Sequence, residues 1–322
     1  MIDYGLSASM KSILIVRIGA MGDIIHTLPG VASLKRSFPN ARITWVVEPR
    51  WAGLLEGGGL VDRIVAFRRN EPGTWWHTVA ALREQPYDLA VDFQGALKSA
   101  FLARAARPER LVGFAAGVVR ERPAAWLYTA TGATQSRHVV DQAVDLAVAA
   151  GASVRVMEFP LPPGQPEGKL PDEPFALASP QAGWASKQWP PEYFEKLAGY
   201  LRKRGMPLVI NGAAGAVPDI AGTLKHESGI TGLIDASRRA TLVVGVDSGP
   251  LHLAAALGKP GVAIFGPTDP LRNGPYGGDV AVFRQPGTRT THRRGKEIDP
   301  AMRAISPEQV FAALEARAAC RV

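Results

Sequence analysis

The turn that joins the first apolar run to the first helical pattern holds an aspartate and two glycines. Ile18 ends the run, Gly19–Asp23 forms the turn, and an amphipathic pattern follows. Open α/β sheets bind ligands at such turns, but the glycine spacing is not that of a dinucleotide fingerprint and a carboxylate at a helix start disfavours pyrophosphate. Asp23 is therefore either a helix cap or a general base that takes a proton from a hydroxyl group. His26 could flank the same cleft or simply be packed.

A second turn of this kind, Asp247–Pro250, follows another apolar run. Its proline suits the first turn of a helix, and bare backbone amides at Ser248 and Gly249 would bind a phosphate. His252 could donate a further hydrogen bond. The loop Gly266–Pro270 follows the next strand along the chain. The alternative is that these residues only form turns. Two such loops at the ends of successive strands favour ligand binding over this alternative.

A lysine between two tryptophans occupies a third loop. Lys187 lies between Trp184 and Trp189, after the apolar run Phe175–Ser179. An ammonium group at a strand end could hold a diphosphate. The alternative is a solvated surface lysine.

The elements that position these loops are predicted by periodicity. Short apolar runs rich in β-branched residues alternate with amphipathic stretches, which is typical of parallel strands joined by helical crossovers. In the first half we predict strands Ser12–Ile18, Ile43–Glu48, Ile64–Phe67, Leu89–Phe93 and Leu111–Phe114, and helices Ile24–Arg36, Thr74–Glu84 and Val139–Ala150. In the second half we predict strands Phe175–Ser179, Leu208–Asn211, Leu242–Val246 and Val262–Phe265, and helices Glu192–Arg204, Leu251–Leu257 and Pro307–Ala318.

A proline-rich segment separates the two halves. Six prolines and two glycines fall within Phe159–Pro174, a density that no helix or central strand tolerates. We therefore predict an N-terminal domain over 1–158, a linker over 159–174 and a C-terminal domain over 175–322. A chain of 322 residues is long enough for two α/β domains of ordinary size.

Composition is typical of a soluble globular protein, with 46% hydrophobic and 20% charged residues, and it excludes a disordered chain. The single cysteine, Cys320, cannot form a disulfide within the chain, which fits a reducing cytoplasm. Arg17 interrupts the first apolar run well short of a signal peptide or membrane span, so any membrane contact should be peripheral. We expect residues 1–9, before Met10, to be a dispensable extension.

The formal net charge of +8 makes nucleic acid, anionic lipid and phosphorylated substrates possible partners. Residues 1–160 carry 18 Lys+Arg and 14 Asp+Glu, and the remainder carries 19 and 15, so each half is +4 and neither is a nucleic-acid module. The densest basic run, Arg284–Lys296, includes Arg289, His292, Arg293 and Arg294 and no acid. It is either a solvated turn or a contact for an anionic membrane or phosphate.

Together these segments resemble glycosyltransferase family 9, the heptosyltransferases of lipopolysaccharide inner-core assembly. The similarity lies in Ile15–Pro29, Asp92–Ser99, Lys187–Pro190, Gly245–Leu253 and Gly266–Pro270. The last of these is similar to the type I members, which add the first heptose to Kdo on lipid A. The resemblance implies an α/β protein with a GT-B fold, in which two Rossmann-like domains face each other across a cleft. It also implies an acceptor site in the first half, an ADP-heptose site in the second, and a last helix that crosses back to the first.

The resemblance implies an inverting transfer in which Asp23 is the base. Donor binding would involve Lys187, Asp247, Ser248, Gly249, His252 and Thr268, and binding of the acidic acceptor would involve Gly22, His26, Arg68, Arg69, Lys98, Arg120 and Arg122. We expect no metal and no cofactor, because the sequence has no cluster of His, Cys and Asp residues. The expected partners are an ADP-sugar, a Kdo-lipid A or similar anionic glycolipid and a membrane surface, but no nucleic acid. The expected location is the cytoplasm, peripherally at the inner face of the inner membrane of a Gram-negative-type bacterium.

One segment departs from the family pattern. The family usually has an acid near the ribose after the strand that here ends at Asn211, whereas this chain has Gly212–Ala216, and the stretch to Thr241 is short. The departure implies weakened donor binding. The alternatives are a type II or other family 9 transferase with a different acceptor, a sugar-nucleotide-binding protein without turnover, and a nicotinamide enzyme, against which the missing G-x-G-x-x-G counts.

Overall fold

The computed structural model describes residues 10–291 and 293–319. The expectations for residues 1–9, His292 and Cys320 lie outside these described residues. The chain divides into two contiguous units, Met1–Pro162 and Pro163–Val322. Their boundary falls inside the proline-rich segment 159–174, which holds neither helix nor strand.

The first unit is a sheet of six parallel strands in the order β3-β2-β1-β4-β5-β6. Its strands are β1 Ser12–Val16, β2 Arg42–Val47, β3 Arg63–Ala66, β4 Leu89–Asp92, β5 Arg110–Phe114 and β6 Ala130–Gly132. Its helices are α1 Met21–Ser37, α2 Thr74–Leu82, α3 Leu97–Ala105 and α4 Val139–Ala149, with 3₁₀ turns at Pro49–Leu54 and Arg122–Leu127.

The central strand β1 is buried on both faces. Leu14 and Val16 pack in a core with residues of α2 and α3, while Ile13 and Ile15, which point the other way, are equally inaccessible. Strands covered by helices on both faces read as continuous apolar runs, which explains the sequence of β1. Helices α1 and α4 pack closely at Gly30, where a Cβ atom would lie 2.6 Å from the Ala143 carbonyl oxygen.

The second unit repeats this architecture with strand order β12-β11-β10-β7-β8-β9, again all parallel. Its strands are β7 Ala176–Ser179, β8 Leu208–Gly212, β9 Leu224–Glu227, β10 Leu242–Val246, β11 Gly261–Phe265 and β12 Val280–Arg284. Its helices are α5 Pro191–Arg202, α6 Ile230–Arg239, α7 Gly249–Ala256, α8 Pro270–Asn273, α9 Pro300–Arg303 and α10 Pro307–Ala319, with a 3₁₀ turn at Ala185–Lys187.

In each unit the first and fourth strands along the chain lie side by side and later strands are added outwards, which is the doubly wound, Rossmann-like order. The predicted α/β class with two Rossmann-like domains is confirmed. Helix α10 packs against α5 and β11 and buries Val310 and Leu314 in the core of its own unit. Its predicted return to the first unit stays a prediction.

Candidate active site

The turn with Asp23 lies at the point in the first sheet where the strand order reverses, between β1 and β4. Open α/β sheets bind ligands beyond the carboxyl ends of the strands at this point. Two hydrogen bonds tie the turn to the end of β4: the Ile18 amide donates to Gln94 Oε1 at 2.9 Å, and Arg17 Nη1 donates to the Phe93 carbonyl oxygen at 2.7 Å. The turn is thus tied to the end of β4, at the edge where sheets of this kind bind ligands.

Asp23 does not occupy the N-cap position, because helix α1 begins at Met21 and its N-cap is Ala20. The Asp23 carboxylate nevertheless contacts the helix start, since its Oδ2 accepts the Ala20 N–H at 3.3 Å. The same oxygen lies 2.8 Å from Arg17 Nη2, and 44% of the Asp23 side chain is exposed. Oδ2 is thus fixed by protein donors, and the side chain is accessible to a substrate hydroxyl, so the geometry is compatible with both hypotheses and the role of Asp23 stays a prediction.

Three other residues assigned to the acceptor lie in helices that follow strands of the first sheet. Gly22 is in the first turn of α1, and His26 is buried against the His138 ring, with 5.7 Å between ring centroids. Lys98 lies with its ammonium nitrogen 4.6 Å from the centroid of the Phe67 ring. The structure therefore makes His26 a packed residue, while Lys98 lies near the end of β3.

The four arginines assigned to the acceptor differ in their partners. Arg68 pairs with Glu71 at 3.3 Å, and Arg69 pairs with the buried Glu48 at 2.7 Å. Arg120 and Arg122 are exposed and form no ion pair within the part of the chain that the structure describes. Only Arg69 is thus held in place by a buried carboxylate.

Sequence reasoning missed Arg17, Glu48 and Gln94. Arg17 was interpreted only as an interruption of an apolar run, although it holds Asp23. Glu48 is only 5% exposed, and a carboxylate that ends an apolar strand was the available signal for it. Gln94 acts through an amide contact with a distant segment, for which the sequence carries no signal.

Below this edge, Asp92 is a fully buried hydrogen-bond acceptor at the end of β4. Its Oδ2 accepts hydrogen bonds from the hydroxyl groups of Tyr128 and Ser99, both at 2.8 Å, and its Oδ1 accepts the Gln94 and Gly95 amides at 2.9 and 3.2 Å. Burial raises the pKa of Asp92 above its ordinary value of 3.8, although these four donors favour the charged form. Asp92 therefore fixes the loop that carries Gln94.

We expect the unfolding free energy of the wild type, relative to Asp92→Asn, to fall as pH rises. A raised pKa means that the folded chain binds this proton more tightly than the unfolded chain. The resulting stabilisation is complete below the ordinary pKa and is lost as pH rises through the folded value. Urea unfolding of both proteins from about pH 4 upward measures the difference. A difference that grows with pH would contradict this account.

In the second unit the strand order reverses between β7 and β10, and the loops after these strands bring Lys187 and Asp247 together. Lys187 Nζ lies 2.6 Å from Asp247 Oδ2, and their side chains are only 14% and 5% exposed. The ammonium group also lies 4.3 Å from the centroid of the Trp184 ring. Lys187 is therefore not a solvated surface lysine.

Asp247 is held in the ionised form. Its Oδ1 lies 3.3 Å from His252 Nε2 and accepts a hydrogen bond from Asn273 Nδ2 at 3.2 Å. Burial acts to raise the pKa of Asp247, but the hydrogen bond with His252 and the charge of Lys187 outweigh it and hold the pKa well below its ordinary value. The predicted donor residues Lys187, Asp247 and His252 thus form one charged cluster.

Polar groups without partners lie on the two loops that carry this cluster and on the loop after β11. Helix α7 begins at Gly249 with Ser248 as its N-cap, and the Ser248 side chain makes no capping hydrogen bond. Among the described residues, the buried hydroxyl oxygens of Ser186, Ser248 and Thr268 have no partner. Buried hydroxyls normally have a partner, and a helix start with free amides attracts anions. The arrangement suits a phosphate, and Ser186 joins the predicted set.

The segment that departs from the family pattern also lacks a helix. Strands β8 and β9 pair in parallel, yet the connection 213–223 is irregular throughout. Glu227, at the end of β9, accepts the Gly215 amide at 3.1 Å. The Glu227 carboxylate of β9 therefore lies beside Gly212–Ala216, which carries no acid of its own.

The basic run after β12 has two parts with different structures. Arg284 is bound to the chain itself, since it donates to the Gly266 and Thr288 carbonyl oxygens at 3.2 and 2.9 Å. Arg289 and Arg293 line an open cavity of about 610 Å³ together with three threonines, Asp299 and Ala301. Arg284 is thus structural, while the later arginines are exposed.

Neither a membrane-spanning helix nor a cluster of metal ligands occurs among the described residues. No helix there has both the length and the apolar character that crossing a bilayer requires. No three His, Cys, Asp or Glu side chains there come together as metal ligands would. Independence from metals stays a prediction.

The chain is similar to known proteins over most of its length. The family model "Glycosyltransferase family 9 (heptosyltransferase)" matches residues 75–300. Lipopolysaccharide heptosyltransferase 1 of Pseudomonas aeruginosa is 30% identical over 294 residues, which are 82% of this chain and 81% of that protein. Lipopolysaccharide heptosyltransferase 1 of Escherichia coli K12 is 26% identical over 304 residues, or 85% and 93% of the two chains.

Solved structures give the same result for the fold. The E. coli heptosyltransferase WaaC with ADP has a TM-score of 0.79 at 24% identity and covers 95% of this chain and 99% of its own. E. coli ADP-heptose lps heptosyltransferase II has a TM-score of 0.79 at 21% identity, with coverage of 97% and 99%. The family model spans more than half of the chain, so the similarity first seen in short motifs is confirmed. This chain belongs to glycosyltransferase family 9, the heptosyltransferases.

Proposed function

We propose that this chain transfers heptose from ADP-L-glycero-D-manno-heptose to the Kdo of an inner-core acceptor such as Kdo-lipid A, with inversion at the anomeric carbon. Family membership and the relatives named lipopolysaccharide heptosyltransferase 1 support this assignment. The observation that carries the chemistry is the exposed Asp23 carboxylate, held by Arg17 at a ligand-binding edge of the first sheet.

In the proposed reaction the Asp23 carboxylate removes the proton from the acceptor hydroxyl as its oxygen attacks the anomeric carbon. Arg17 and the Ala20 amide fix one carboxylate oxygen, Oδ2, and the other oxygen would accept the proton of the acceptor hydroxyl. The bond between the anomeric carbon and the diphosphate breaks in the same step. The products are the new glycosidic bond, ADP and a protonated Asp23.

The departing ADP gains negative charge, which Lys187 and the N-terminus of α7 would stabilise. The hydroxyl groups of Ser186, Ser248 and Thr268 supply further donors. His252 and Asp247 would orient the ammonium group and contact the sugar. We propose that these groups need no metal ion and no cofactor.

The direct test is incubation of the purified protein with ADP-heptose and Kdo-lipid A. We expect release of ADP and a lipid product heavier by one heptose, measured by mass spectrometry, and no product from UDP- or GDP-sugars. A product only with an acceptor that already carries one heptose would indicate a type II enzyme. Binding of ADP-heptose without ADP release would indicate a non-catalytic binding protein, and tight binding of NADH would indicate a nicotinamide enzyme.

We also propose peripheral contact with the cytoplasmic face of the inner membrane through Arg289, Arg293 and Arg294, which are exposed. The charges should attract anionic lipids, and salt should weaken the attraction. We expect co-sedimentation with anionic vesicles at low salt and release at high salt.

Replacing all three arginines by glutamine should weaken binding by about one to two powers of ten, whereas Lys225→Gln, at another exposed cation, should not. Vesicle binding whose strength does not change with salt concentration would contradict an electrostatic contact.

A further inference from the structure

Two tryptophans flank Lys187, and their surroundings differ. Trp189 is only 1% exposed, its Nε1 donates to the Ile305 carbonyl oxygen at 2.9 Å, and its ring packs edge-on against Phe194. It therefore anchors the end of the loop in the core of the second unit. Trp184, at the start of the loop, is only half-buried and is not part of that core.

A single 3₁₀ turn brings Trp184 and Lys187 together. The turn spans Ala185–Lys187 with Trp184 as its N-cap, and the Lys187 amide donates to the Trp184 carbonyl oxygen at 3.2 Å. Side chains three positions apart lie on the same side of such a turn. The Lys187 ammonium nitrogen consequently lies over the Trp184 ring, 4.3 Å from its centroid, which is the geometry of a cation–π contact.

The Lys187 ammonium group has two partners of different kinds. Within the described residues it makes one hydrogen bond, to Asp247 Oδ2 at 2.6 Å, so two of its three N–H donors form none. The Trp184 ring attracts the ammonium group through its electron-rich face, which carries no formal charge. A second carboxylate would neutralise the cation, whereas the ring orients it and leaves its charge for a ligand.

We propose that Trp184 is a positioning residue that holds the Lys187 ammonium group in place for the diphosphate of the donor. This inference rests on the proposed function, in which Lys187 stabilises the departing ADP, and it adds an uncharged residue that acts through Lys187. The Lys187 side chain is only 14% exposed, and cation–π contacts are strongest where water is excluded. Loss of the ring would free the side chain and admit water to its ion pair with Asp247.

Replacing the ring tests this role directly. Trp184→Leu removes the aromatic face, and we expect the Kd of ADP to rise about 3- to 30-fold, the range that cation–π contacts give. Turnover should fall with the acceptor KM unchanged, because Lys187 acts on the leaving group. Trp184→Phe keeps an aromatic face and should recover most of the loss. Trp76→Leu, at a tryptophan that is 73% exposed in the first unit, is the matched control and should change neither quantity.

Two further measurements show whether Trp184 acts through Lys187. In a double-mutant cycle, Trp184→Leu should add little to the loss of ADP affinity in Lys187→Ala, because the ring then has no cation to hold. Tryptophan with one, two or three fluorine atoms, placed at position 184 alone, should lower ADP affinity stepwise. Fluorine weakens the negative face of the ring and changes its shape little.

Thermal unfolding of each variant shows whether it has folded, and if Trp184→Leu does not fold, the fluorinated series decides alone because it keeps the ring. Wild-type ADP affinity in Trp184→Leu, or an affinity that does not change with the number of fluorine atoms, overturns the inference. Additive losses in the double variant also overturn it, since they would mean that Trp184 contacts ADP itself. A wild type that does not bind ADP instead contradicts the proposed function.

Discussion

Asp23→Asn is expected to lower the rate of heptosyl transfer by about two to four powers of ten, the usual contribution of a well-placed base. Asparagine keeps the shape of the side chain and an oxygen that can accept the Ala20 N–H, but it cannot take a proton. The side chain is 44% exposed, so loss of the ion pair with Arg17 should change stability little. Turnover is measured by ADP release, and donor affinity by calorimetric titration with ADP.

Glu192→Gln provides the control for Asp23→Asn, because Glu192 is also an exposed acid in the first turn of a helix. It should turn over like the wild type. Normal turnover of the Asp23→Asn enzyme would show that Asp23 is not the base and only contacts the start of helix α1. A large loss of ADP affinity in that variant would instead indicate misfolding or a direct contact with the donor.

Lys187→Ala is expected to weaken ADP binding and to cost about 2–4 kcal/mol in transition-state stabilisation. It should also lower thermal stability, because the Asp247 carboxylate, only 5% exposed, loses its closest cation. Unfolding temperature, ADP affinity and kcat/KM are the measurements. Lys196→Ala, at an exposed lysine of the same unit, should leave all three unchanged.

The two effects of Lys187→Ala can be separated with Asp247→Asn. The double variant removes both buried charges, so stability should recover while ADP affinity stays low. EDTA should leave wild-type activity intact. Recovery of ADP affinity in the double variant, or EDTA inhibition that Mg²⁺ reverses, would show that Lys187 does not carry the leaving group.

Most predicted elements occur within a few residues of their predicted bounds, because buried parallel strands are continuous apolar runs. Strand β10 was predicted at its observed bounds, and α10 differs by one residue. Strand β9 was missed because only one of its four residues, His226, is buried, so it has the polar pattern of an edge strand. Strand β12 contains the apolar run Val280–Phe283 between Gly278 and Pro286. The rule that a short apolar run between turn residues is a strand could therefore have predicted it.

Within the two sites, the sequence predicted which loops lie at the ends of strands, but it did not predict which side chains pair with one another. Parallel strands end at a common edge, so the loops with Lys187 and Asp247 could be expected to meet. Their ion pair joins residues 60 positions apart in the sequence. The sequence around a lysine does not show whether its ammonium group is buried or solvated. The partner of Arg69 was missed for the same reason, since the pairing of β2 with β3, which brings Glu48 and Arg69 together, is a property of the fold.

The division into two contiguous units has a consequence during protein synthesis. The two units are successive in the sequence, so all six strands of the first sheet have been synthesised before residue Pro163 is added. At about 5–20 residues per second, the remaining 160 residues take roughly 8–32 s. Parallel sheets are dominated by distant contacts and fold slowly, so this interval lets the first sheet close before the apolar strands of the second are exposed.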